Sequence, residues 1–142
     1  MRSAPSPNPT AFTLPVRVYY EDTDAGGVVY YANYLRFFER CRTEWMRQIG
    51  YDQSALAVEA GIGFVARKAS CEYRRPARLD DCLTVGLEVE KLTPVRIVFR
   101  QQVRRGDEEL VVGSVEIACV NMTTMRPAPI PDDLYRQLEM LK

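Results

Sequence analysis

The periodicities along this 142-residue chain predict an α+β domain in which one long helix is wrapped by a single curved antiparallel sheet. Large apolar residues at Tyr34, Phe38, Cys41, Trp45 and Ile49 recur at helical spacing, and no proline interrupts them before Gly50. After Gly63 the period changes to two, most plainly where Leu83, Val85, Leu87 and Val89 alternate with Thr84, Gly86, Glu88 and Glu90. One strand precedes the helix and four follow it, with no internal repeat and no shift in composition that would mark a second domain.

Each element has a local reason. Residues 1–12 are rich in Pro and Ser and lack an apolar run, so they read as a disordered arm and not a secretory leader, leaving one domain over 13–142. Leu14 to Tyr20 alternates Val16, Val18 and Tyr20 with Arg17, a strand pattern. Asn33 is expected to act as, or lie near, a cap for the long helix. Arg36, Glu39, Arg40, Thr43 and Arg47 fall on its other faces, and Gly50 is a natural stop. Gln53 to Ala60 predicts a short second helix, ended by Gly61 and Gly63. Strands are expected at Phe64–Tyr73, Leu83–Val89, Val95–Val103 and Leu110–Val120, with a hairpin turn in Arg104–Glu108. The proline-rich segment Arg126–Pro131 reads as a rigid link to a closing helix over Asp132–Leu141.

Composition narrows the function classes. Nineteen basic and nineteen acidic residues cancel, so no bulk field recruits nucleic acid or an anionic membrane. No apolar stretch is long enough to span a bilayer. Cys41, Cys71, Cys82 and Cys119 form no CxxC pair, and there is no histidine to complete a zinc site. Cys41, Cys71 and Cys119 sit in periodic apolar segments, which points to reduced thiols and a cytoplasmic address. The absence of histidine also limits the chemistry: any general base is a carboxylate, a thiolate or a lysine.

The best-placed carboxylates lie in Tyr20-Glu21-Asp22-Thr23-Asp24-Ala25-Gly26-Gly27-Val28-Val29-Tyr30-Tyr31, between the first strand and the long helix. Gly26 stands where a calcium loop needs an oxygen ligand, and Asn33 where it needs the closing glutamate, which argues against calcium. No Gly-Lys-Ser/Thr follows, which argues against a nucleotide loop. Spacing leaves two readings open. One is a polar turn whose acids complement the helix dipole, and the other is a base brought beside free backbone N–H donors for acyl transfer.

The pattern Asp22-x-Asp24-x-x-Gly27-x-Val29-Tyr30-x-x-x-Tyr34 resembles the hotdog-fold acyl-CoA thioesterases. The resemblance is to the branch holding 4-hydroxybenzoyl-CoA thioesterase and the Tol-Pal-associated enzymes. It continues through Phe37-Phe38-Glu39-Arg40-x-Arg42-Thr43-Glu44, Arg75-Pro76-Ala77 and Asp80-Asp81 to Asn121. It implies Asp24 as the catalytic carboxylate, attacking the thioester or activating water. It also implies the Tyr31 backbone N–H as the donor that polarises the carbonyl, and Gly63 as a further backbone donor. Gly27 and Val28 are expected to line the substrate site. Lys91, Arg96 and Arg126 are candidate partners for the coenzyme A phosphates, since the paired arginines of the aryl-CoA enzyme are replaced by Thr93 and Pro94. Tol-Pal-associated members carry histidine where this chain has Tyr31, whereas the aryl-CoA enzyme has tyrosine.

The resemblance further implies no metal and no cofactor, an acyl-CoA substrate or an acyl carrier protein in its place, and a homotetramer built as a dimer of dimers. Glu44 could reach the acyl cavity or simply be a polar helix residue. Hotdog dehydratases rely on histidine, so the alternative function is a non-catalytic acyl-CoA-binding or envelope-complex scaffold.

Overall fold

A computed structural model describes residues 12–142. The expected arm lies outside the described residues except for Phe12, which opens the first strand. In chain order the elements are β1 (Phe12–Arg17), α1 (Asn33–Gln48), α2 (Gln53–Glu59), β2 (Ile62–Tyr73), β3 (Cys82–Leu92), β4 (Arg96–Arg105), β5 (Glu108–Asn121) and α3 (Asp132–Glu139). The strands form one sheet in the order β1-β3-β4-β5-β2, each neighbour antiparallel.

The first strand ends earlier than its alternation predicts. Tyr20 to Asp22 form a single 3-10 turn and Tyr20 is 81% exposed, because the chain turns away from the sheet edge after Val18. Pro15 within β1 supplies no N–H to a ladder, which an edge strand tolerates. The β4–β5 turn tightens to Gly106-Asp107, with Gly106 at φ +61.

α1 lies across the inner face of the sheet. Its buried stripe is wider than the simple repeat, since Phe37 and Met46 join Tyr34, Phe38, Cys41 and Trp45. The sheet answers with Val85, Leu87 and Val89 of β3, Ile97, Phe99 and Val103 of β4, and Val111, Val115, Ile117 and Cys119 of β5. Leu134, Leu138 and Leu141 from the C-terminal segment close one end of this core. Cys41 and Cys119 are buried, Cys71 is half-buried and Cys82 is exposed, all as free thiols.

Phe38 marks the closest approach of helix and sheet. A side-chain Cβ at Gly113 would stand 2.5 Å from its ring. Directly across the ladder from Gly113 is Gln101, fully buried, whose Nε2 donates to the Phe38 carbonyl at 3.0 Å. Gly113→Ala is therefore expected to lower stability by about 1–3 kcal/mol through overpacking, read as a shifted urea midpoint. Gly63→Ala should be milder, because only the flexible Met122 side chain opposes it.

Candidate active site

The acidic segment folds as a small hairpin closed by its own carboxylates. Asp22 is buried; its Oδ2 accepts the Tyr19 N–H at 2.9 Å, and its carbonyl accepts both the Tyr30 N–H and Asn33 Nδ2 at 3.0 Å. Asn33 is thus a tie between loop and helix and not a helix cap. It is the first residue of α1, and Ala32 before it makes no side-chain capping bond.

At the hairpin tip the Asp24 N–H donates to the Val28 carbonyl at 2.8 Å, and the Gly27 N–H to the Asp24 carbonyl at 3.0 Å. Asp24 Oδ1 accepts the Gly26 N–H at 2.8 Å and the Val28 N–H at 3.4 Å. Gly27 sits at φ +79, a left-handed conformation that glycine adopts without strain. Among the described residues Oδ2 has no partner, and Asp24 is exposed. One oxygen is held by the loop's own main chain and the other is not.

The loop rests on the segment between β2 and β3. The Val29 N–H donates to the Ala77 carbonyl at 2.8 Å, and the Ala77 N–H to the Tyr34 hydroxyl at 3.0 Å. That segment is clamped in turn. Arg105 reaches the Asp81 carboxylate at 2.7 Å and Glu108 at 2.7 Å. Burial pushes the Asp81 carboxyl up, but the Arg78 N–H and the Arg105 guanidinium outweigh it and hold the group below its ordinary value.

Tyr31 lies on the turn that leads into α1. Among the described residues its N–H and that of Ala32 donate to no acceptor, as expected where a helix begins. Its ring is 61% exposed and stands edge-on to Tyr73, whose hydroxyl donates to the Tyr31 carbonyl at 3.4 Å. Beside it opens a cleft of about 240 Å³ lined by Val29, Tyr31, Tyr34, Tyr73 and the Arg74-Arg75-Pro76 run. Asp24, Gly27 and Val28 border the same loop but do not line that cleft.

The remaining expected site residues are elsewhere in the chain. Gly63 is the second residue of β2 and Tyr73 its last, so ten residues, roughly 33 Å of strand, separate Gly63 from the Tyr31 cleft. Arg96 pairs in register with Ala118, which pairs with Val65, and the Arg126 carbonyl accepts the Asn121 N–H beside Ile62. Gly63, Arg96 and Arg126 therefore gather at one end of the sheet, and Asp24, Gly27, Val28 and Tyr31 at the other. Within one chain they do not form a single site. Arg96 is partly engaged by Glu116 at 3.8 Å, whereas the exposed Arg126 side chain has no partner among the described residues.

This arrangement has known counterparts. The profile of the Thioesterase-like superfamily matches residues 18–138. The chain belongs to that superfamily. The acyl-CoA thioesterase YbgC of Haemophilus influenzae is 43% identical over 131 residues, spanning 92% of this chain and 96% of the relative. The acyl-CoA thioester hydrolase YbgC of Escherichia coli O6:H1 is 42% identical over 133 residues, spanning 93% and 98%. A probable thioesterase from Bartonella henselae, 38% identical, superposes with a TM-score of 0.80 over 85% of this chain and 99% of that one. The hotdog architecture expected of the superfamily is the one observed: a central helix wrapped by one antiparallel sheet.

In this member of the superfamily, a second cavity lies where sequence periodicity gave no signal. It holds about 260 Å³ between the second half of α1, the sheet and α3. Glu39, Arg42 and Thr43 line it, although Glu39 and Thr43 read from periodicity as outward-facing. Glu44 does not; it pairs with Arg47 on the helix surface at 2.6 Å.

The Arg105 clamp carries a pH signature. The depressed Asp81 carboxyl contributes stability above the ordinary carboxylate pKa, and that contribution is lost as pH falls through the folded value, below roughly pH 4. Stability measured by urea unfolding across pH 3–6 should fall with acid, and Arg105→Gln should flatten the slope.

Proposed function

We propose that this protein hydrolyses acyl-CoA thioesters to a free acid and coenzyme A, with Asp24 as the general base and the Tyr31 N–H as the carbonyl-polarising donor. The observation that carries the reading is the pairing, within one loop, of a carboxylate with a free oxygen and unpaired N–H groups at the start of α1. Relatives at 42–43% identity that bear the thioester hydrolase name support it.

The chemistry follows from that pairing. The thioester carbonyl has weak resonance, and a donor at a helix N-terminus stabilises the oxygen charge that develops as it is attacked. Asp24 Oδ2 takes a proton from water as the water oxygen bonds to the carbonyl carbon. The carbon–sulfur bond then breaks, and the proton passes to the departing thiolate. The Gly26 and Val28 N–H groups on Oδ1 orient the carboxylate and leave Oδ2 unengaged to accept the proton of the attacking water. Reaction in ¹⁸O-labelled water should place the label in the product acid and leave Asp24 unlabelled.

A second copy of the chain supplies what one chain lacks. Asp24 is exposed, and β2 presents a twelve-residue sheet edge. Antiparallel pairing of two β2 edges about a twofold axis would bring the Gly63, Arg96 and Arg126 end of one copy toward the Asp24 and Tyr31 end of the other. Gly27 and Val28 would then border the acyl group, and Arg96 and Arg126 would meet the phosphates of coenzyme A or of an acyl carrier protein's prosthetic arm. The assembly is a tetramer of two such dimers, acting in the cytoplasm without metal or cofactor. Light scattering at low micromolar concentration should return a tetramer or dimer; a fully active monomer contradicts a shared site.

Asp24→Asn is expected to reduce turnover by about two orders of magnitude or more with the far-ultraviolet circular dichroism unchanged. Asp22→Asn, which disturbs loop closure and not the base, should be less damaging. Thiol release measured on both preparations decides the order. Tyr31→Phe keeps the backbone N–H and should retain the maximal rate to within about tenfold, with changes appearing in KM or acyl preference. Loss of activity near a thousandfold would assign the phenol itself a chemical role.

A further inference from the structure

The cavity along the second half of α1 is apolar on most sides, walled by Phe64 of β2, Ile97 and Phe99 of β4, Ile117 of β5 and Leu134 of α3. One cation enters it. Arg42 is half-buried, and its Nη1 donates to Gln101 Oε1 at 2.9 Å. Gln101 is fully buried and anchored by its bond to the Phe38 carbonyl, so it holds the guanidinium in one orientation. Among the described residues the other guanidinium nitrogens have no hydrogen-bond partner, and no carboxylate lies within ion-pair distance. Among the described residues Arg42 is the one arginine or lysine on the cavity wall, while Glu39 stands exposed at its rim.

We propose that this cavity binds a short apolar chain ending in a carboxylate, with the carboxylate on Arg42. A half-buried guanidinium with one neutral hydrogen bond and no carboxylate partner keeps free N–H donors, and its planar fork matches a carboxylate through two parallel N–H bonds. Burial draws the Arg42 guanidinium down from its ordinary value, opposed only by the charge of Glu39 and by Cys41, as expected for a cation short of a partner. The volume is at the small end of ligand sites, so the chain is short. Two sources share this chemistry: a free carboxylic acid, or the far carboxylate of a dicarboxylic acyl group. The second source rests on the thioester hydrolysis proposed above; the first does not.

Calorimetry with hexanoate and with hexan-1-ol tests the site without turnover. Hexanoate should bind the assembled protein at least about tenfold more tightly than the alcohol, the value of a charge-assisted pair. Arg42→Gln should remove that preference and leave alcohol binding in place, which also shows that the variant is folded. Glu39→Gln, which removes the rim charge, should tighten hexanoate binding. Ala66→Leu should block both ligands by filling the cavity from β2. Equal binding of acid and alcohol, no binding of either, or an unchanged preference in Arg42→Gln overturns the proposal. The source is read from kcat/KM for adipoyl-CoA relative to hexanoyl-CoA. A ratio that falls in Arg42→Gln assigns the distal carboxylate of the acyl group, and an unchanged ratio with hexanoate binding intact in the parent protein assigns the free acid. Absence of turnover on every thioester would remove the proposed hydrolase activity and leave the hexanoate result standing.

Discussion

The docking of Phe38 onto the sheet sets the geometry of everything else. Its ring rests where Gly113 has no side chain, and its carbonyl is held by Gln101 on the neighbouring strand. In register beyond Gly113 comes Cys71 of β2, so one row across three strands seats the middle of α1. Because that contact fixes the distance between helix and sheet at one point, the two halves of the helix face different spaces. Toward its start lie the acidic hairpin and the tyrosine-lined cleft, and toward its end lies the cavity with Arg42. Side chains on either side of a close contact cannot fill the widening gap unless they are large, and here they leave room for ligands.

The acidic hairpin is a loop that supplies its own order. Asp22 is consumed by main-chain donors and by the tie to Asn33, and that burial makes Asp24 available. Two carboxylates two residues apart therefore do opposite things, one buried and structural, the other exposed and half-engaged. The support under the hairpin is also polar: Tyr34 to Ala77, then Arg105 to Asp81 and Glu108. A loop held by hydrogen bonds and ion pairs at the start of an amphipathic helix can keep a carboxylate near solvent while the core stays dry.

Much of this was readable from residue order, and the misses have definite causes. Alternation located β3, whose inner row is Leu83, Val85, Leu87 and Val89, and it survives in β4 and β5 because Gln101 and Gly113 interrupt otherwise apolar inner rows only once each. The helical repeat located α1 but understated its buried width, since Phe37 and Met46 fall one position off the repeat and the sheet curves around to meet them. Gln101 and Gly113 carry no periodic signal: each is a single residue whose role exists only against Phe38. Glu39 and Thr43 read as outward-facing until the cavity beside them is seen, and Arg42 enters it between them. Asn33 has the chemistry of a cap but stands one position inside the helix, where its Nδ2 donates to the Asp22 carbonyl. The grouping of Gly63, Arg96 and Arg126 with Asp24 comes from the family resemblance; within one chain the length of β2 separates them, and no residue pattern reports what a second copy would bring.

Pro15 has a bearing on how large this sheet can grow. Both outer strands expose backbone, but they are unequal templates: β1 is six residues long and interrupted by an imide, whereas β2 is twelve residues long. A strand lacking a donor at its centre cannot seed a continuous ladder. Among the described residues β2 is thus the longer edge and the one whose main-chain donors are uninterrupted by proline. Pairing of two such edges would consume both, leaving the short, proline-bearing strands outermost in the joined sheet.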